Sequence, residues 1–246
     1  MQITPPFGFT EIVPLNRTQK IRLLRAGEIP GFARGQNSIP ISYTEFAAVA
    51  REYPIVFTSM AGSQVYGPVA VLGMVAGENL YDNGGAWASG AYVPAYARRF
   101  PFCMSKVTLD KVVQQNRLIC VEKSHVDEAA GEALFDDKGQ PSAKWKDIER
   151  LLTEYEADLE RSREMCAILA DYSLLEPFTM QAKLNKGGSP LALTGMYRVA
   201  EAKIEHLNAS QLKNLVKKGI LSRVYAHLLS LENFARLLDR KAAKAA

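Results

Sequence analysis

The sequence predicts an α+β fold, with an antiparallel or mixed sheet mainly in its first half and helices mainly in its second. Three observations carry this. Residues that are β-branched or aromatic cluster between turn residues from Pro54 to Val121. From Ser142 onward apolar residues recur at steps of three, four and seven, the spacing of one helix face. The helix-like stretches do not alternate regularly with the strand-like ones, as a parallel βαβ sheet would require.

The elements follow in order. Residues 1–41 are punctuated by Pro5, Pro6, Pro14, Pro30 and Pro40 and read as irregular structure or short strands. "SYTEFAAVAREYP" is the first helix: Ser42 and Glu45 make a capping box, Phe46, Val49 and Ala50 form the buried stripe, and Pro54 ends it. "PIVFTSM" and "VYGPVAVLGMVAG" read as adjacent strands. In "ENLYDNGGAWASGAYVPAYARRFPF", residues 78–102, Pro94 is tolerated only in a first turn and Pro101 disfavours helix at Phe100. Any helix there is confined to roughly 90–99. Residues 102–107 and 118–121 read as strands, with a helix possible between them around 109–115.

"LFDDKGQPSAKW" is a polar turn leading to a helix capped by Ser142. Trp145, Ile148, Leu152, Tyr155, Leu159, Cys166 and Leu169 fall on one stripe and carry it to about residue 170. "LLEPFTMQAKL" and "LALTGMYRV" form a hairpin around "NKGGSP". The end is helical: "NASQLKNLVKKG" is capped near Asn208 or Ser210 and closed by Gly219, and Leu221, Val224, Leu228, Leu231, Ala235 and Leu238 continue the helical spacing. No repeat and no low-complexity linker divides the chain, so residues 1–246 are read as one domain with a soft boundary near 124–144.

Composition excludes several classes. Hydrophobic residues make up 48% of the chain, enough for an ordinary core. The longest weakly polar run, 65–77, is broken by Tyr66, Gly67, Pro68 and Gly73 and falls short of the roughly 20 apolar residues of a membrane span. The start, "MQITPPFGF", lacks the marks of a secretory signal, and cytoplasmic residence is the simplest expectation. Cys103, Cys120 and Cys166 are widely spaced, and His125, His206 and His227 stand apart, so no metal is expected. No cofactor is expected either, since no phosphate-binding glycine loop and no nucleophile elbow occurs.

Charge is uneven. Residues 127–160 hold 11 acidic against 4 basic side chains, and residues 203–244 hold 9 basic against 3 acidic. Two helical faces kept solvated explain such asymmetry most simply. The C-terminal basic clusters, Lys213, Lys217 and Lys218 and then Arg236, Arg240, Lys241 and Lys244, are not interleaved with aromatics, so no nucleic-acid partner is expected.

Residues 78–102 concentrate the functional signal. Six of the chain's 22 aromatics fall there, where about two would be expected from the composition. Trp87, Tyr92, Tyr96, Arg98 and Arg99 are the candidate binding residues, because phenol and guanidinium groups carry polar ends that a dry core serves poorly. The structural alternative makes the aromatics core and the arginines helix C-terminal cations. Candidate acids or bases are Glu176 within "LLEPF", Asp82 in the glycine loop, and His227, each with a bland alternative: an arginine partner, a turn bond to its own backbone, and a satisfied packing histidine.

The blocks "NLYDNGGAW", "YVPAYARRFPF", "YPIVF", "GMYRV" and "YAHLLSL" resemble the bacterial SapC family, and the resemblance runs over essentially the whole chain. It implies a connection to the surface layer, since the family is named after a surface-array locus, and it implies no catalytic residues. An integral-membrane permease that shares the name is excluded by the lack of hydrophobic spans. The expected function is a soluble accessory protein that binds a protein or peptide at the cell envelope. The alternatives are an enzyme with an aromatic and arginine-lined pocket acting on a peptide or small ligand, or a homodimer formed through the same segment.

Overall fold

Proline and glycine keep the N-terminal part in short pieces: β1 (Gln2–Ile3), β2 (Ile12–Pro14), β3 (Lys20–Ile21) and β4 (Ser38–Pro40). The computed structural model describes residues 2–59, 63–109, 112–182 and 191–244. The Ser42/Glu45 capping box is present, and a 3-10 turn over Tyr43–Glu45 runs into the single-turn helix α1 (Phe46–Val49). Strands β5 (Ile55–Ser59), β6 (Tyr66–Val71), β7 (Asp82–Asn83) and β8 (Ala86–Trp87) follow. Next come the one-turn helix α2 (Ala95–Arg98), β9 (Phe102–Leu109), β10 (Val112–Glu122) and β11 (Glu132–Ala133). The long helix α3 (Ala143–Asp171) precedes β12 (Leu175–Ala182), β13 (Leu191–Val199), α4 (Ala209–Lys217), α5 (Ile220–Ser230) and α6 (Asn233–Lys244).

Two antiparallel sheets dominate, in the orders β12-β13-β5-β6-β4 and β1-β9-β10-β2. In β5, Ile55, Val56 and Phe57 are all buried, which is why this strand reads as an unbroken apolar run. Helix α5 packs on β5 and β13, and α3 packs on β6. A second cluster joins Phe102, Val121, Trp145 and Leu152, and a third joins Phe9, Ile12, Phe100 and the cross-strand pair Cys103 and Cys120.

Most predicted elements are present, including the Ser142 cap, whose Oγ accepts from Trp145 N at 3.1 Å, and the Asn208 cap, whose Oδ1 accepts from Gln211 N at 2.9 Å. The β12–β13 pairing is present as well; the turn expected at "NKGGSP" lies outside the described residues. Two expectations are corrected, and the window set for α2 holds. Of the span 109–115 considered for a helix, the described residues, 109 and 112–115, are strand, with Leu109 opposite Val112 and Thr108 opposite Val113, because β-branched Val107, Thr108, Val112 and Val113 favour the pleat; residues 110 and 111 lie outside the described residues. The C-terminal stripe is two helices, since Asn233 is buried with its Nδ2 donating to Ala50 O (2.8 Å) and Tyr53 O (3.2 Å), which turns the chain after α5. Helix α2 spans one turn within the 90–99 window, starting directly after Pro94.

Candidate functional site

Residues 78–102 are tied to α1 by buried polar groups. Glu45 is buried, and its carboxylate accepts four hydrogen bonds: Ser42 N (2.7 Å) and Ser42 Oγ (2.8 Å) on Oε2, Ala95 N (2.6 Å) and Tyr92 Oη (3.0 Å) on Oε1. The capping residue of one helix therefore also satisfies the first amide of the next. Glu52 Oε2 accepts from Tyr92 N at 3.1 Å. Tyr53 Oη accepts from Trp87 Nε1 (2.8 Å) and donates to Tyr92 O (2.6 Å). Tyr96 Oη donates to Phe7 O at 2.5 Å. Burial pushes the phenols of Tyr53 and Tyr96 up and that of Tyr92 to about 12, so each is a neutral donor at ordinary pH.

These bonds divide the five candidate binding residues. Trp87 and Tyr96 are about 95% buried, at 5% exposure each, and their polar ends are occupied by the protein's own groups. Tyr92 lies outside α2, so although it stands four residues before Tyr96 and seven before Arg99, it does not share a helix face with them. Each arginine instead takes a different tyrosine of this segment: the Arg98 guanidinium lies 5.6 Å from the Tyr92 ring centroid, and that of Arg99 lies 4.2 Å from Tyr96.

Arg98 and Arg99 both line a cleft of about 380 Å³. One wall is the segment from Val93 to Phe102, a second is the loop from Leu23 to Glu28, and the third is α3, where Lys144, Ile148 and Leu151 fall on one face at helical spacing. Its floor is apolar, with Leu23, Leu24, Phe100, Ile148 and Leu151. Four cations, Arg25, Arg98, Arg99 and Lys144, face a single carboxylate, Glu28. Glu28 accepts from Arg25 N (2.9 Å) and pairs with Arg22 (3.4 Å), which hold it below the usual carboxylate range.

Lys144 pairs with Glu132 at 2.6 Å, but Arg25, Arg98 and Arg99 make no ion pair among the described residues. Arg98 is exposed and held by neutral partners, Val93 O (2.9 Å) and Tyr92 Oη (3.1 Å). Arg99 is only 4% exposed, and its Nε is buried without a hydrogen-bond partner. Around its guanidinium stand the rings of Phe9 (5.4 Å), Tyr96 (4.2 Å) and Tyr155 (5.0 Å). Ring quadrupoles compensate a buried cation only in part, because the cost of desolvating an ion exceeds the one or two kcal/mol, approximately, that each face returns.

The proposed acids and bases lie elsewhere. Asp82 Oδ1 accepts from Gly85 N (2.6 Å) and Oδ2 faces Arg34 (3.5 Å), so the carboxylate closes its own glycine turn. Glu176 pairs with Arg198 at 2.8 Å across the β12–β13 ladder. His227 is fully buried: its Nδ1 lies 2.8 Å from Ile55 O, which can only accept, and its Nε2 lies 3.1 Å from Val199 N, which can only donate. The ring is therefore the neutral Nδ1–H tautomer, and burial lowers its pKa to about 4. The Cys103 thiol, two residues past the cis Phe100–Pro101 unit, is buried and pushed up to about 12. Acidic side chains of α3 are met largely nearby, by Arg117, Arg150, Arg161 and Arg163, while Lys218 of the basic stretch reaches Glu164.

Two walls of the cleft escaped the sequence reading. Leu23 to Glu28 falls in the stretch that reads as irregular structure or short strands, and Ile148 in the stripe that reads as core. A signal did exist: Lys144, Ile148 and Leu151 mix a cation with apolar residues on one helical face, the pattern of a partly wetted wall.

A protein-family model described as SapC matches residues 18–237. No curated protein and no solved structure matches the chain.

Proposed function

The chain belongs to the SapC family, and from that premise and the cleft we propose that it is a non-catalytic accessory factor that binds a peptide segment of a cell-envelope or surface-layer protein. In this reading it is a soluble, cytoplasmic, bacterial protein acting before its partner leaves the cell. The observation that carries the reading is the cleft itself: an apolar floor beside Arg98 and Arg99, which have no anionic partner among the described residues, and beside Arg25, whose charge acts on Glu28 without forming an ion pair. Such a site offers area for side chains and fixed positive charge for orientation, the ordinary division of labour in a recognition pocket. It offers no acid and base in hydrogen-bonding reach of each other, because Asp82, Glu176 and His227 are engaged elsewhere and Glu28 is held ionised. No described helix is long and apolar enough to cross a membrane.

Site-directed photo-crosslinking in the native host tests this. A photoreactive phenylalanine analogue at Leu23, in the cleft, should capture a discrete envelope or surface-layer protein, while the same analogue at the exposed Glu154 of α3 should not. Identical captures from both positions, or none from Leu23, would remove the reading.

A further inference from the structure

The ligand's chemistry can be narrowed further, on the reading that the cleft is a peptide-binding site. We propose that the cleft recognises a peptide C-terminus: a free carboxylate held by Arg98 and Arg25, with the apolar side chain of the last residue on the floor made by Leu23, Leu24, Phe100, Ile148 and Leu151.

Charge is the first argument. Arg98 spends two of its N–H donors on Val93 O and Tyr92 Oη, which fix its plane and leave the others for an incoming acceptor. The Arg25 side chain makes no hydrogen bond or ion pair among the described residues and meets only the more distant charge of Glu28, and a planar guanidinium suits a carboxylate because two parallel N–H···O bonds can form. Arg99 need not touch the ligand. Buried in apolar and aromatic surroundings without a counter-ion, it adds a positive potential that water screens poorly, and an anion in the adjoining cleft lowers the energy of that charge.

Adjacency of the two halves is the second argument. Apolar floor and cationic rim belong to one cavity of about 380 Å³, the space of about a dozen waters. An acidic side chain would bring a carboxylate without apolar surface beside it. The last residue of a chain bears both on the same Cα. The outer surface supplies the third argument and favours a polypeptide over a fatty acid. Arg25 and Glu28 also line a more open groove of about 480 Å³, bounded by Arg22 and the glycine loop at Gly84, Gly85 and Ala86. A preceding stretch of backbone has polar surface to run along there, whereas an aliphatic tail would find only the small side chains of Ala26 and Ala86.

Fluorescence anisotropy on the intact protein tests the proposal. The probe is a labelled hexapeptide ending Leu-Val-Phe, prepared as the free acid and as the C-terminal amide, with decanoate as competitor. The acid should bind roughly tenfold or more tightly than the amide, and Arg25→Gln or Arg98→Gln should each remove most of that preference while leaving the circular dichroism spectrum unchanged, with the melting temperature unmoved for Arg25→Gln and lowered by only a few degrees, on the order of one lost hydrogen bond, for Arg98→Gln. Binding of the acid should weaken as salt rises. Equal binding of acid and amide would overturn the C-terminal assignment and leave the peptide reading standing. Decanoate binding with neither peptide bound would overturn both in favour of a small carboxylate, and no binding by any probe would equally reject both. Since Arg99 is buried and Arg99→Gln can simply unfold, Arg25→Gln, at an exposed side chain, is the variant on which the decision rests.

Discussion

Glu45 is the structural key to the cleft, and replacing it with glutamine gives a sharp test. The carboxylate receives four donors on two oxygens, two of them backbone amides, Ser42 N and Ala95 N, in buried residues. Glutamine keeps the shape but turns one oxygen into an NH₂ group. Whichever way that amide is flipped, one backbone N–H loses its acceptor and faces another donor. The hydroxyl on the same side can rotate to accept, but an N–H cannot. A buried donor left unpaired costs about 1–3 kcal/mol, and weakening the remaining bonds from charge-assisted to neutral adds about 1 kcal/mol. Glu45→Gln should therefore destabilise the fold by about 2–4 kcal/mol in urea titration, with the melting temperature lowered on the order of 10 °C. Tyr92→Phe, which removes only the hydroxyl between Glu45 and Arg98, is the control and should cost about 1 kcal/mol. If Glu45→Gln falls within about 0.5 kcal/mol of the wild type, the range of an unengaged surface change, then this carboxylate does not hold α2 in place.

Three further outcomes follow from the geometry. His227 has a folded pKa near 4 against an ordinary value of 6.5, so its neutral ring stabilises the fold above pH 6.5 and that contribution is lost as pH falls toward 4. Between pH 7 and 5 the wild type should lose roughly 2 kcal/mol more stability than His227→Gln in parallel urea titrations, and matching slopes would reject the buried neutral histidine. Burial pushes the thiols of Cys103 and Cys166 to about 12 and that of Cys120 to about 11. At pH 8 a thiol reagent such as dithionitrobenzoate should leave the native protein nearly unreacted and titrate all three in denaturant; rapid labelling of the native state would contradict their placement. Gly85 has φ +97 and an added Cβ would lie 2.2 Å from Arg34 Nη2, whereas Gly84 has φ +65 and open space. Gly85→Ala should cost about 1–2 kcal/mol and Gly84→Ala about 1 kcal/mol, and the reverse order in thermal melts would argue against this loop geometry.

What the sequence made legible was mostly local. The Ser42/Glu45 box, the Ser142 and Asn208 caps and the closing Gly219 each depend on residues within four positions of one another, and the structure contains all of them. The α3 stripe was equally readable, since its period shows through 29 residues. Long-range relations were hidden. Nothing near Glu45 announces that its second oxygen serves Ala95, 50 residues later. Nothing near Asn233 shows that its amide reaches Ala50 and Tyr53, so the bend before α6 was invisible in a stripe whose spacing hardly changes across it. The aromatic excess in 78–102 was a true signal of something unusual, but composition cannot distinguish rings that wall a site from rings that brace it. Trp87 and Tyr96 brace, Tyr92 links the brace to Arg98, and of the five only the two arginines line the cleft.

That division gives the aromatic-rich segment a coherent physical purpose. An exposed arginine has high rotamer entropy, and a site that must order it on binding loses affinity by about 0.5–1.5 kcal/mol for each such side chain. Here the ordering is done in advance. Glu45 fixes Tyr92, Tyr92 and Val93 O fix the Arg98 guanidinium, and Tyr53 fixes the backbone carbonyl of Tyr92 from the other side. Arg99 is immobilised by burial among three rings, with no carboxylate paired to it among the described residues to cancel its charge. A segment built only for stability would have placed an anion there, since an unpaired buried cation is among the most costly groups a core can hold. On the proposed reading the compensating negative charge arrives with a ligand, and the clustered aromatics are the scaffold that holds two adjacent arginines apart and beside the same cleft.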